Sequence, residues 1–252
     1  MQFSEAKFQE ALARPRLGQP LPEFLPGNRG GGRVRVITEP ELMAMTAQWF
    51  DEFERKLGFY ESKGLKVGWL LNWLKEYWWG WQMRDMSRLP ALMLPDARWK
   101  DPTTFGRELV GVQEFVDYNF AFFDAIPDWR YDLIPGQTYI DVMPDGEVRL
   151  AGRYYGSGHW TGPLRFYPYR KDSPALWGTG NFIQGTAVDR YHFTADGKLR
   201  EGETLFDFID GAQNAGILPS GDSWQLNTMF RASRIPHYLA KAKRRLRGEK
   251  YA

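Results

Sequence analysis

The sequence predicts an α+β fold, and two features of its patterning carry that expectation. Three stretches with helically spaced apolar residues lie in the first half, and alternating segments punctuated by Asp-Gly turns fill most of the second. Helices and strands sorted in this way give one sheet with helices packed on it. Six or fewer strands in one strongly curved sheet are expected, with the N-terminal helices on its outside.

The elements follow in chain order. Residues 13–34 are rich in Pro and Gly and read as an extended arm. Thr38 and Glu41 have the spacing of a capping box, and Pro40 fits a first turn, so a helix is expected over 38–57. Leu42, Trp49, Phe50, Phe53 and Leu57 form its stripe, and Gly58 ends it. A second helix is expected over 66–87, with Leu70, Leu74, Tyr77, Trp78 and Trp81 at helical spacing. Trp73 and Trp79 fall off that stripe, which points to burial of more than one face by helix packing.

Leu89-Pro90 stops this helix, and Asp101-Pro102 begins an extended connection. A third helix is expected over 110–124, carrying Val112, Phe115, Val116, Phe122 and Phe123. Strands are expected at 129–134, 138–143, 147–156, 159–167, 182–194 and 198–208. Asp145-Gly146 and Asp196-Gly197 supply hairpin turns. The loop 168–181 is a candidate lid. Asp207 is placed to cap a short helix over 208–215. The resulting organisation is an arm and added helix (1–64), the main α+β unit (65–220) and a basic tail (221–252).

Composition narrows the function. Aromatic residues make up 16% of the chain, with 11 Trp, enough for both a large core and a lined pocket. The absence of Cys excludes disulfides, thiolate zinc sites and thiol nucleophiles. The three His have no close carboxylate or His at a metal-like spacing, so neither a metal site nor a cofactor is expected. No secretory signal or bilayer-spanning run is recognisable, and a cytoplasmic location is expected. Residues 231–252 carry a net +7 against a total of +2, leaving an acidic body. That distribution argues against a general nucleic-acid-binding surface. A solvated helix is the simplest reading of the basic run 241–247.

The most informative segment is 181–211. Alternation places Ala187, Asp189, Tyr191 and Phe193 on one strand face and Val188, Arg190 and His192 on the other. A carboxylate thus stands in line with aromatic side chains, where it must be paired or working in a cavity.

Four ordered segments resemble the SnoaL-like, polyketide-cyclase-like branch of the nuclear-transport-factor-like superfamily. They are Lys100-Asp101-Pro102-Thr103-Thr104, Ala125-Ile126-Pro127-Asp128-Trp129-Arg130, Gly158-His159-Trp160-Thr161-Gly162, and the Asp196-Gly197-Lys198-Leu199 turn with Asp207-Phe208. The resemblance spans residues 70–220. It implies a cone-shaped α+β barrel in which a curved mixed sheet, closed by helices, surrounds a hydrophobic pocket. It does not by itself name a reaction.

Carried over residue by residue, the resemblance gives Asp101 a polar pocket position, while its place before Pro102 equally suits an Asx-turn. His159 matches the family's histidine segment and is expected in the pocket. Asp189 falls where the cyclases carry a His. The cyclase acid/base Asp falls on Thr204, which cannot exchange a proton usefully near neutral pH. Glu203 and Asp207 flank Thr204, and a bulge would turn either inward.

The resulting expectation is a cofactor-independent enzyme doing isomerisation, dehydration or cyclisation on a hydrophobic, ring-containing molecule. Asp189 is the expected base, His159 and Tyr191 polarise or orient a carbonyl, and Asp101 completes the catalytic set. Trp160, Trp129, Phe193, Glu203 and Asp207 are the expected substrate-binding residues. Burial should raise the Asp189 pKa, with Tyr191 and His159 as hydrogen-bond partners, or else Asp189 forms a structural ion pair with Arg153. Two alternatives stand beside this one. An epoxide-hydrolase-like site would need paired Asp and an inward Arg153 or Arg190, and a non-catalytic ligand carrier or assembly module would need neither. A homodimer is expected through the outer sheet face, where Arg190 and His192 are read as lying beside Thr204 and Phe206.

Overall fold

The computed structural model describes residues 3–18, 20–25, 33–168 and 170–247. The glycine-rich stretch 26–32 of the expected arm and the last five residues of the tail lie outside the described residues. Helices come first: α1 (Glu5–Ala13), α2 (Glu39–Ser62), α3 (Trp69–Met83) and the single turn α4 (Leu89–Leu92). The capping box of Thr38 and Glu41 forms as the spacing predicts, with Pro40 in the first turn of α2. Helix α1 is unanticipated. Ser4 caps it, and its Phe8 packs edge-on to Phe50 and Trp78.

Two strands then appear where the sequence suggests only a connection: β1 (Met93–Lys100) and β2 (Glu108–Val110), separated by a 3-10 turn over Pro102–Thr104. Helix α5 (Val112–Ala125) leads into β3 (Arg130–Val142) and β4 (Val148–His159). The two strands expected at 129–134 and 138–143 are thus one strand, with a register shift between Leu133 and Thr138. The strand expected over 159–167 is not formed as such: β4 runs on to His159, and only the short β5 (Pro163–Arg165) lies in the rest of that span, pairing with β6 (Ala175–Trp177) from within the expected loop 168–181. The chain returns through β7 (Phe182–Phe193) and β8 (Leu199–Phe206), then α6 (Phe208–Asn214), α7 (Trp224–Ala232) and α8 (Arg234–Leu246).

Six strands form one mixed, curved sheet in the order β2-β1-β8-β7-β4-β3. Every pairing is antiparallel except β1 with β8. Helices α3 and α5 pack across the sheet's inner face, α3 against β3 and α5 against β1 and β2. The core lies there. Trp73 and Trp78 are buried, their indole N–H groups donating to the carbonyls of Leu92 and Tyr131 at 2.9 and 2.8 Å. Trp79, off the predicted stripe, packs on Phe3.

The N-terminal arm closes on its own chain. Buried Arg130 makes a two-pronged contact with Asp132 at 2.7 and 2.9 Å and reaches Glu39 at 2.8 Å. Glu39 also accepts the backbone N–H groups of Arg16 and Leu17. Leu17, Leu25, Val36 and Leu42 pack with Phe182 beside this network.

Register corrects the reading of the outer face. Thr204 stands opposite Asp189 and Phe206 opposite Ala187, so both point inward, not out beside Arg190 and His192. The outer face instead carries charge pairs such as Arg190–Glu203 and Arg98–Glu108. Dimerisation through an exposed Phe206 loses its apolar anchor.

Candidate functional site

The inner face of the sheet, α3, α5 and α6 enclose a cavity of about 420 Å³. Two strand glycines permit its walls. A Cβ on Gly156 would sit 2.1 Å from the Trp129 ring, and one on Gly202 2.0 Å from the Trp99 ring. Only glycine lets these indoles approach β4 and β8 so closely. Gly185 of β7 also lines the cavity, with nothing within 4 Å of its missing side chain, so that absent side chain is part of the cavity's volume.

The polar end of the cavity is built around Asp189 on β7. It is 3% exposed, and alternation with Ala187 and Tyr191 aims it inward as the sequence predicts. Thr204 donates to its Oδ1 at 2.8 Å, and the Tyr191 hydroxyl donates to its Oδ2 at 3.0 Å. The Tyr131 hydroxyl, 3.1 Å from that of Tyr191, extends the chain. Burial pushes the Asp189 carboxyl up to about 7, overriding the Thr204 and Tyr191 hydrogen bonds that favour its charged form. The negative charge of Asp101 adds to the rise.

Asp101 satisfies both of its sequence readings. Its Oδ1 accepts the Thr103 backbone N–H at 2.8 Å, capping the 3-10 turn, and the same carboxyl lines the cavity. Burial raises its pKa, while contacts with Thr103, Tyr118 and Thr204 oppose the rise. Thr204 therefore lies between two carboxyls. Among the described residues neither of them has a cationic partner, and no Arg or Lys lines the cavity. Tyr77, Tyr118, Tyr131 and Tyr154 surround the pair, and burial together with the carboxylates holds their phenols well above the usual range, so they stay neutral.

Other sequence-predicted residues divide. Trp160, Trp129 and Asp207 line the cavity, and Asp207 also caps α6 by accepting the Asp210 N–H. Tyr191 lies behind Asp189 as its hydrogen-bond donor. His159 does not line the cavity. The β4 alternation that turns Tyr154 and Gly156 inward turns His159 the other way, where its Nδ1 pairs with Asp128 at 2.6 Å and its ring rests on Phe182. Phe193 is buried in the core against Trp69 and Trp73 instead of lining the cavity. Glu203 faces outward to Arg190, and no bulge turns it in. Arg153 bonds Gln137 and Thr186 and makes no contact with Asp189.

Sequence reasoning missed Trp99, Thr103, Tyr118, Tyr131 and Tyr154. Strand alternation on β4 carried the signal for Tyr154; Trp99 lies on a strand that local pattern did not reveal. At the mouth, exposed Phe105 adopts a left-handed backbone conformation and bridges Phe166, beside the β5–β6 hairpin, to Phe208 of the cavity rim.

Structures similar to the chain include a protein assigned as a SnoaL-like polyketide cyclase from Jannaschia sp. CCS1, at 15% identity over 69% of this chain and 96% of that one, with a TM-score of 0.43. TsrD from Streptomyces laurentii is similar at 16% identity over 59% and 96%, with a TM-score of 0.44. An NTF2-like protein of unknown function from Burkholderia pseudomallei is similar at 16% identity over 57% and 94%, with a TM-score of 0.41. Nothing about chemistry follows from likenesses of this extent. No curated protein matches the chain. The SnoaL-like domain model matches residues 74–202, the stretch from the middle of α3 into β8 that builds most of the cavity, and the chain belongs to that family.

Proposed function

We propose that the protein catalyses cofactor-independent proton transfer on a hydrophobic, ring-containing small molecule bound in the cavity. One observation carries this reading. A buried carboxyl without a cationic partner, tuned to about 7, faces an aromatic-walled space. In its ionised form Asp189 takes a proton from a carbon next to a carbonyl. The neutral tyrosine phenols donate hydrogen bonds to the carbonyl oxygen as negative charge develops there. Asp189 then returns that proton to a second carbon, which completes an isomerisation and regenerates the base, while the negative charge of Asp101 helps to keep the Asp189 carboxyl basic. Dehydration or ring closure would use the same carbanion. His159 has no part in this scheme, and Tyr191 acts by holding Asp189.

The epoxide-opening alternative is not favoured, because it needs a cation beside the paired carboxyls. Exchange of carbon-bound hydrogen for solvent deuterium in neutral cyclic ketones tests the proposal directly. Asp189→Asn should slow exchange by about a hundredfold or more while ligand binding persists. Unchanged exchange in a folded variant would leave the ligand-carrier reading in its place.

A further inference from the structure

Helix α8 belongs to neither the core nor the cavity. From Asn227 to Arg247 no residue is buried, so the body of the protein does not cover this segment. Ile235, Tyr238, Leu239, Ala242 and Leu246 recur at helical spacing and form one apolar stripe. Its large side chains are open, Leu239 at 65% and Leu246 at 89% exposure. The rest of the helix circumference carries all of its charge, and every charge is positive. Residues 234–247 hold six Lys or Arg and no Asp or Glu. By helix geometry Lys243 borders one edge of the stripe, Arg234 and Arg245 the other, and Arg244 lies opposite it.

We propose that α8 docks in the plane of an anionic lipid surface. An apolar stripe bordered on both edges by long cationic side chains suits a helix lying at the headgroup level. Its leucines then enter the acyl boundary while lysines and arginines reach back to acidic headgroups. Other occupants fit less well. Pairing the stripe with that of a second copy would bring basic edges together. A nucleic acid would satisfy the charge and leave the stripe in water. The acidic remainder of the chain would orient the body away from the lipid. No described helix is long and apolar enough to cross a membrane, so the contact is superficial.

Co-sedimentation of the full chain with lipid vesicles tests the idea and does not depend on the chemistry of the cavity. Phosphatidylcholine vesicles containing phosphatidylserine should bind the protein at least about tenfold more tightly than phosphatidylcholine alone, less so as salt rises. Leu239→Glu and the double substitution Lys243→Glu with Arg245→Glu should each abolish that binding without changing the melting temperature, since neither touches the core. Equal binding to neutral vesicles, or retention by Leu239→Glu, would overturn the proposal. So would binding to a polyanion such as heparin that matches the vesicles in strength and survives Leu239→Glu. Self-association of the native chain that Leu239→Glu removes would assign the stripe to a second copy instead.

Discussion

Asp189 and Thr204 are direct partners across the β7–β8 ladder, and the threonine hydroxyl donates to Asp189 Oδ1 at 2.8 Å. The two positions at which this chain departs from the resemblance to the cyclases, an Asp in place of a His and a Thr in place of an Asp, are therefore one site. The Thr204 hydroxyl holds the Asp189 carboxylate and faces Asp101 as well.

The raised pKa of Asp189 has a definite sign in stability. The folded state holds its proton up to about 7 and the unfolded chain releases it near the ordinary value of 3.8. This contribution is full at low pH and is lost as pH rises between those values. The native protein should lose more melting temperature from pH 5 to pH 8 than Asp189→Asn does. Exchange activity should run the other way, rising through about 7 as the base ionises.

Thr204→Val keeps the shape of the side chain and removes the donor. Because that hydrogen bond favours the charged form of Asp189, the midpoint of the pH–activity profile should move upward. Thr204→Ser should restore it. A purely structural threonine would lower stability and leave the midpoint in place.

Two glycines of the cavity should respond oppositely. Gly202→Ala drives a Cβ to 2.0 Å from the Trp99 ring and should cost about 1–3 kcal/mol in urea unfolding. Gly185→Ile meets open space and favours the strand, so stability should hold while ligand binding weakens.

Arg130→Met strands the buried carboxylates of Asp132 and Glu39 without their cation, and should cost about 3–5 kcal/mol. Because Glu39 holds the backbone of Arg16 and Leu17, limited proteolysis should cut the arm of this variant first.

Local pattern located α2, α3 and α5, the Asp-Gly turns, the cap of α6 and the inward aim of Asp189, although α2 runs through Gly58, its expected end, to Ser62. Each of these rests on periodicity or on the chemistry of a few adjacent residues. Tertiary structure decided the remainder. The segment Met93–Lys100 carries Pro95, Asp96, Arg98 and Lys100, and it is a strand because β8 and β2 supply hydrogen-bonding partners on either side. Without β1 there is no Trp99 in the cavity and no reason for Asp101 to enter it. His159 was misplaced because a histidine next to Gly156 and Gly158 suggests close backbone approach and a site, whereas the two-residue period of β4 turns it to the opposite face. The pairing of Asp189 with Thr204 depends on register between two strands, which only the folded sheet sets.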